Sequence, residues 1–217
     1  MLEALRATLA SPSEAYAADV RDAAAMGAAA AAFISKHGVP DLVIGNAGIS
    51  YGNDTAVAED VETFREILDV NVLGLVNTFH PFVGPMRARG SGTLAGIASV
   101  AGFRGLPWAT AYSESKAAAI RYLEGLRVEM RGSGVCITTI CPGFIATAMT
   151  KKNPYTMPFL IDADDAARRF ARVMDAGRSY AVIPWQMAVV GRILTVLPIP
   201  VFDALLAGRG RKPRKPD

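Results

Sequence analysis

Short, wholly apolar runs alternate along the chain with longer stretches in which apolar positions recur at helical spacing. Four runs predict buried strands: 42–45 (LVIG), 93–98 (TLAGIA), 135–141 (VCITTIC) and 180–183 (YAVI). Each is bounded by glycine, proline or polar residues, and none alternates cleanly between apolar and polar, as expected of strands covered on both faces. A shorter candidate, 15–18, ends at Asp19. Residues 20–36 are rich in alanine, the strongest helix former. Residues 57–88 carry Val61, Phe64, Ile67, Leu68, Val72, Leu75 and Phe79 at helical spacing, and 111–131 carry Ile120, Leu123, Leu126 and Met130. A fourth helix is predicted over 164–176. This alternation of strands and helices predicts an α/β fold, a doubly wound parallel sheet.

In such sheets ligands bind at the carboxyl ends of the strands. Three predicted strands end on polar or backbone-permissive residues: Asn46-Ala47-Gly48, Ser99, and Pro142-Gly143. These form one rim. The length of 217 residues suits one domain, here 1–184, followed by an apolar segment and basic tail over 185–217.

Composition narrows the partners. Apolar residues make up 51% and charged residues 20%, and 23 Lys+Arg against 20 Asp+Glu give +3. Much of that excess sits in Arg209, Arg211, Lys212, Arg214 and Lys215, so no nucleic-acid partner is expected. Cys136 and Cys141 lie five apart on a strand and face opposite ways, which disfavours a disulfide or a shared metal. They read as small buried apolar residues, and with only His37 and His80 besides, no metal site is expected. With charges among the apolar residues at 1–9 no signal peptide is expected there, and a cytoplasmic setting is expected. The longest apolar stretch, 181–207, is interrupted by Arg192, Asp203 and three prolines.

The sharpest chemical feature is the pair Tyr112 and Lys116, one helical turn apart and hence on one face. Ser99 precedes Tyr112 by 13 residues and ends a strand. Ketone reduction needs a hydride donor, a proton donor and a group that polarises the carbonyl. Tyrosine has a pKa near ~10, and lowering it by ~3 units corresponds to about 4 kcal/mol. One cation about 4 Å away in a medium of effective dielectric near 20 supplies roughly that much. Lys116 is the candidate cation, Tyr112 the proton exchanger and Ser99 the donor to the substrate oxygen. Taken singly, Ser99 reads as a strand-end cap, and Tyr112 with Lys116 as a surface pair. The three in register favour catalysis.

The GNAG stretch at 45–48, Asn71 in DVNVLG, Ser99, Tyr112, Lys116, and Pro142-Gly143 with Thr147 four residues on resemble the short-chain dehydrogenase/reductase family. The resemblance runs from Leu2 to about Pro184. It implies a Rossmann-like fold and an enzyme exchanging hydride between NAD(P) and an alcohol or ketone. Asn71, Ser99, Tyr112 and Lys116 would be catalytic, with Lys116 also holding the cofactor ribose. Asn71 would kink its helix and bind a water. Pro142-Gly143 would lie against the nicotinamide, and Thr147 would bond its carboxamide or a phosphate. Asn46, Ala47 and Gly48 would line the adenine pocket, and Asp19 with Val20 would touch adenine. Asp19 also reads as the N-cap of the helix that follows.

One departure is large. The phosphate-binding glycine turn is absent, and Leu2–Leu5 resembles the helix after the family's second strand. Residues upstream of this sequence are the favoured explanation; a wrongly assigned start, or a truncated, non-catalytic binding protein, are the alternatives. The residue that selects NAD or NADP is absent too, and NADP is given a slight preference. Phe103, Leu106, Trp108, Phe144, Met149, Met157 and Phe159 predict a small apolar substrate, and 144–160 resembles the family's mobile substrate loop. Residues 185–217 read as a lid over the pocket plus a disordered tail, with a peripheral anchor on an anionic membrane as the lesser reading. The family's helices at 57–88 and 111–131 pair across subunits, so a homodimer or homotetramer is expected.

Overall fold

The computed structural model describes residues 2–151, 153–208 and 210–215. In chain order run α1 (Leu2–Arg6), α2 (Ala23–His37), β1 (Leu42–Gly45), α3 (Asp60–Leu68), a π-helical turn (Asp69–Leu73), α4 (Gly74–Arg89) and β2 (Gly92–Ile97). A 3-10 turn (Val100–Gly102), α5 (Thr110–Glu129), β3 (Val135–Pro142) and the short strands β4 (Ile145–Ala146) and β5 (Ile161–Asp162) follow. The chain closes with α6 (Ala163–Asp175), β6 (Tyr180–Ile183), α7 (Gln186–Val196) and α8 (Ile199–Leu206).

The main sheet has the order β1-β2-β3-β6, every pair parallel, and β4 pairs with β5 beside it. This is the expected α/β sheet, and its four strands match the four strongest apolar runs. One face is packed by α4 and α5: Leu75, Phe79 and Met86 meet Leu94, Leu123, Leu126 and Ile137 in a single buried cluster. Across the sheet, Val173 of α6 packs on Ile140 and Ile183.

The cover is unequal. Leu42 and Ile44 of β1 are 38% and 43% exposed, because among the described residues no helix lies over that face of the edge strand. The same edge explains a failed expectation. Residues 15–18 form no strand, since a strand is defined by a ladder and none joins them to β1. Cys136 also departs from expectation. It is exposed near the start of β3, while Cys141 is buried on the opposite face.

Local chemistry sets the helix ends. Asp22, not Asp19, caps α2, its carboxylate accepting from Ala24 and Ala25 N–H at 3.0 Å. Asp19 instead grips the Arg21 guanidinium, which holds its carboxyl down at about 2. At the other end, Pro198 separates α7 from α8. Arg104 secures both, donating to the Leu194 carbonyl at 2.9 Å and stacking over Phe202. The basic tail is not a loose appendage: residues 211–215 pack back on the body through ion pairs described below. Arg209, counted with that tail, lies outside the described residues.

Gly102 is a tight point in the fold. A Cβ there would lie 2.6 Å from the Lys116 carbonyl carbon and 2.7 Å from the Ala117 nitrogen, both main-chain atoms of α5. The 3-10 turn therefore rests on the backbone of the helix that carries Tyr112. Gly102→Ala should lower stability by about 1–3 kcal/mol through overpacking. Gly105→Ala, with nothing within 4 Å, serves as the control. Urea unfolding midpoints read both, and an unshifted midpoint for Gly102→Ala would refute the contact.

Candidate active site

The carboxyl ends of β1, β2 and β3 meet the N-terminal half of α5. Ser99, just past β2, is buried and extended (φ −172°), and its hydroxyl accepts from Ala101 N–H at 3.1 Å. The capping role expected of Ser99 alone is thus realised. The same hydroxyl makes a long 3.5 Å contact to the Pro142 carbonyl and a hydrogen bond with the Tyr112 phenol. One side chain therefore links two strand ends to the helix.

Lys116 lies a turn below Tyr112 and is only 5% exposed. Its Nζ donates to the Ile97 carbonyl at 2.9 Å and sits 5.8 Å from the centroid of the Tyr112 ring. Burial lowers its pKa to about 8, with a smaller opposing effect from Cys141. The Cys141 thiol is itself pushed up to about 11 by burial, so it stays neutral at pH 7 and gives Lys116 no full counter-charge.

Tyr112 corrects an expectation. Its pKa is raised, chiefly by burial, with the Ser99 hydrogen bond offsetting part and Tyr155 adding to the rise. The lowered phenol argued from one cation at about 4 Å is not realised, because the Lys116 ammonium is directed at Ile97 O and burial of the phenol prevails. Without further positive charge the phenol stays protonated at neutral pH.

Asn71 occupies the π-helical turn and is 2% exposed. Its Oδ1 accepts from Ile49 N–H at 2.8 Å, and its Nδ2 donates to Ile49 O at 3.0 Å and Ser115 Oγ at 2.9 Å. The expected helix distortion is present, and the amide is committed to the loop after β1. Gly48 in that loop is closely bounded, a Cβ there lying 3.3 Å from Asn71 Oδ1 and 3.5 Å from Lys116 Nζ. Asn46 and Ala47 are exposed beside it.

Other sequence-predicted residues lie further out. Val20 packs on Gly74, and its carbonyl accepts from Asn77 Nδ2 at 2.9 Å, holding Asp19 at the N-terminus of α4. Thr147 is exposed in a turn closed by Thr150, and no hydrogen bond among the described residues joins it to Tyr112. Pro142 is buried, and Gly143 abuts Met187 and Pro184. Phe103 faces Gly191 of α7 and the core rather than the site, while Met149 and Phe159 are exposed. Phe144 stacks edge-on with Tyr155 at 6.4 Å. A separate cleft lined by Phe103, Arg121, Glu124 and Tyr180 contains none of the catalytic candidates.

Sequence reasoning missed three contributors. Asn53 is buried and caps α5 from afar, accepting from Ala111 N–H at 3.2 Å and donating to Thr110 Oγ1 at 2.6 Å. Ser115 anchors Asn71. Lys212, from the tail, brings its Nζ to 5.2 Å from the Tyr112 ring centroid. Ser115 lies within the Tyr112–Lys116 motif, but nothing in the spacing of loop or tail singles out Asn53 or Lys212.

Residues 1–157 match the family model described as short chain dehydrogenase. An uncharacterised oxidoreductase of Myxococcus xanthus is 42% identical over 164 residues, 76% of this chain and 64% of its own length. The probable oxidoreductase EphD of Mycobacterium tuberculosis is 34% identical over 186 residues, 85% of this chain and 31% of its own. The chain thus spans less than two thirds of these curated relatives. A short-chain dehydrogenase from Burkholderia cenocepacia, solved in complex with NADP, superposes with a TM-score of 0.74 at 25% identity, covering 88% of this chain and 76% of that one. Sheet order, the Ser99–Tyr112–Lys116 cluster and the match over residues 1–157 agree: the chain belongs to the short-chain dehydrogenase family.

Proposed function

We propose that this chain carries the catalytic residues of an NAD(P)-dependent oxidoreductase acting on an apolar secondary alcohol or ketone. The observation that carries the reading is the hydrogen bond between Ser99 and Tyr112 with the buried Lys116 ammonium beside the same ring. NADP is slightly preferred, supported by the NADP bound to the Burkholderia neighbour. The catalytic domain is 1–184, with 185–217 as a C-terminal cover. Exposed Val61, Leu73 and Val128 on α3, the π turn and α5 support a homodimer or homotetramer. The two unlinked cysteines support a cytoplasmic setting. No helix among the described residues is long and apolar enough to cross a membrane.

The residues present fit the nicotinamide-ribose half of the cofactor. Lys116 uses one N–H on Ile97 O, which leaves others for ribose hydroxyls, and the missing side chain of Gly48 leaves room beside that ammonium. Thr147, Pro142 and Gly143 complete that end, with Asn46, Ala47, Asp19 and Val20 toward the adenine end. No glycine-rich turn for the diphosphate occurs among the described residues.

When bound, NAD(P)H supplies the hydride. Ser99 donates a hydrogen bond to the substrate carbonyl oxygen and fixes its angle. Tyr112, protonated at neutral pH because burial raises its pKa, delivers the proton to that oxygen. Lys116 stabilises the negative charge left on the phenol oxygen as the proton departs. Asn71 keeps the Gly48–Ile49 loop against the ammonium. Trp108, Phe144 and Tyr155 support an apolar body for the substrate.

Tyr112→Phe should cut ketone reduction by about 10²–10⁴-fold while NADPH still binds, as read by nicotinamide fluorescence. Lys116→Ala should weaken that binding. Failure of the unaltered chain to bind NADPH, with its mass verified, would move the assignment to a non-catalytic binding protein. Because the pKa of Lys116 is depressed from 10.5 to about 8, its charge is complete below pH 7 and lost as pH rises through 8. Reduction rate should therefore hold on the acid side and decline above pH 8. A profile flat to pH 10 would contradict the role given to Lys116.

A further inference from the structure

The basic tail is docked by specific contacts along one side. Gly52 N–H donates to Pro213 O at 2.7 Å, and Gly52 pairs with Arg214 as an isolated parallel bridge. A Cβ on Gly52 would fall 2.0 Å from the Lys212 carbonyl oxygen, so only glycine admits the tail. Its φ lies outside the left-handed region, and the requirement is purely for space. Arg214 meets the buried carboxylate of Asp60 at 2.8 Å, and Lys215 meets Glu66 at 2.6 Å. Arg211 stacks 3.6 Å over Trp108 and lies 3.8 Å from Asp54.

Lys212 is turned the other way. Its Nζ donates to Ser50 Oγ at 2.5 Å and lies over the Tyr112 ring, on which Lys116 also converges. Among the described residues no carboxylate comes within 4.0 Å of it, whereas Arg211, Arg214 and Lys215 each have one. Burial lowers its pKa to about 8, so at pH 7 it is a partly dehydrated cation with only a neutral partner. An anion arriving there replaces lost hydration and gains a charge-assisted hydrogen bond.

We propose that Lys212 is a specificity-determining residue of the substrate site, and that the substrate is a keto acid or hydroxy acid whose carboxylate it binds. This rests on the oxidoreductase reading and adds one charged end to an otherwise apolar substrate. The reacting oxygen goes to Ser99 and Tyr112, the carboxylate to Lys212, and the docked tail sets the distance between them.

The test is calorimetric binding of 3-oxohexanoate and of its methyl ester to the full chain with NADP+ present, which cannot reduce them, with turnover of both by NADPH recorded separately. The wild-type chain should bind the acid at least tenfold more tightly than the ester. Lys212→Met should bring the two affinities within about twofold of each other. Gly52→Ala should do the same by undocking the tail, with Lys212 itself intact. Equal binding of acid and ester by the wild type, or absence of binding by either, overturns the proposal. So does an acid preference that survives in Lys212→Met, the variant that keeps the tail's docking contacts. Tighter binding of both ligands in the two variants overturns it as well, since the tail would then be a plug rather than a recognition element. Acid-selective binding without turnover would count against the oxidoreductase reading alone.

Discussion

An ammonium group buried beneath the sheet rim governs the architecture of this site. Lys116 carries positive charge into a region from which water is largely excluded, and its one strong protein partner is a strand-end carbonyl. Burying an isolated charge is costly, so the surroundings must hold that carbonyl in place. They do so through backbone packing and one side-chain cap: β2 is flanked by parallel neighbours, Gly102 lets the following turn rest on α5, and the Asn53 amide steadies the start of the same helix. Ser99 and Tyr112 are thereby held at fixed separation by elements whose positions are already set by packing.

The site is electrostatically asymmetric. Two ammonium groups approach one phenol from different parts of the chain, Lys116 from the helix below and Lys212 from the tail. Burial nevertheless raises the phenol and lowers both lysines. The three shifts have one cause: each charged form loses water faster than it gains partners. Such a site has little tolerance for added positive charge and a strong response to negative charge.

Much of this was legible in the sequence, because the fold and the catalytic set depend on short-range pattern. Apolar runs at 42–45 and 135–141 found β1 and β3, and helical spacing brought Tyr112 and Lys116 to one face. What escaped had a common character. The bare face of β1 and the absence of a strand at 15–18 depend on neighbours that the pattern of those residues does not encode. Cys136 is exposed although its apolar neighbours in the run are buried, a difference that its own side chain does not encode. The tail read as a basic disordered segment because composition records charge without recording Asp54, Asp60 and Glu66, whose spacing receives it.

The helix running from Asp60 to Arg89 looked continuous in sequence and is continuous in space, yet five of its residues wind more widely than the rest. The Gly74 N–H reaches back five positions, to Asp69, instead of four. In genetic terms the rod holds one codon more than its length requires. The surplus is housed at Asn71, where the loosened winding aims an amide at the loop after β1 while both flanks keep their faces toward the core. Removing a residue from this stretch would leave a more regular helix and a less organised rim, because the wider turn is what brings the Asn71 amide to the loop after β1.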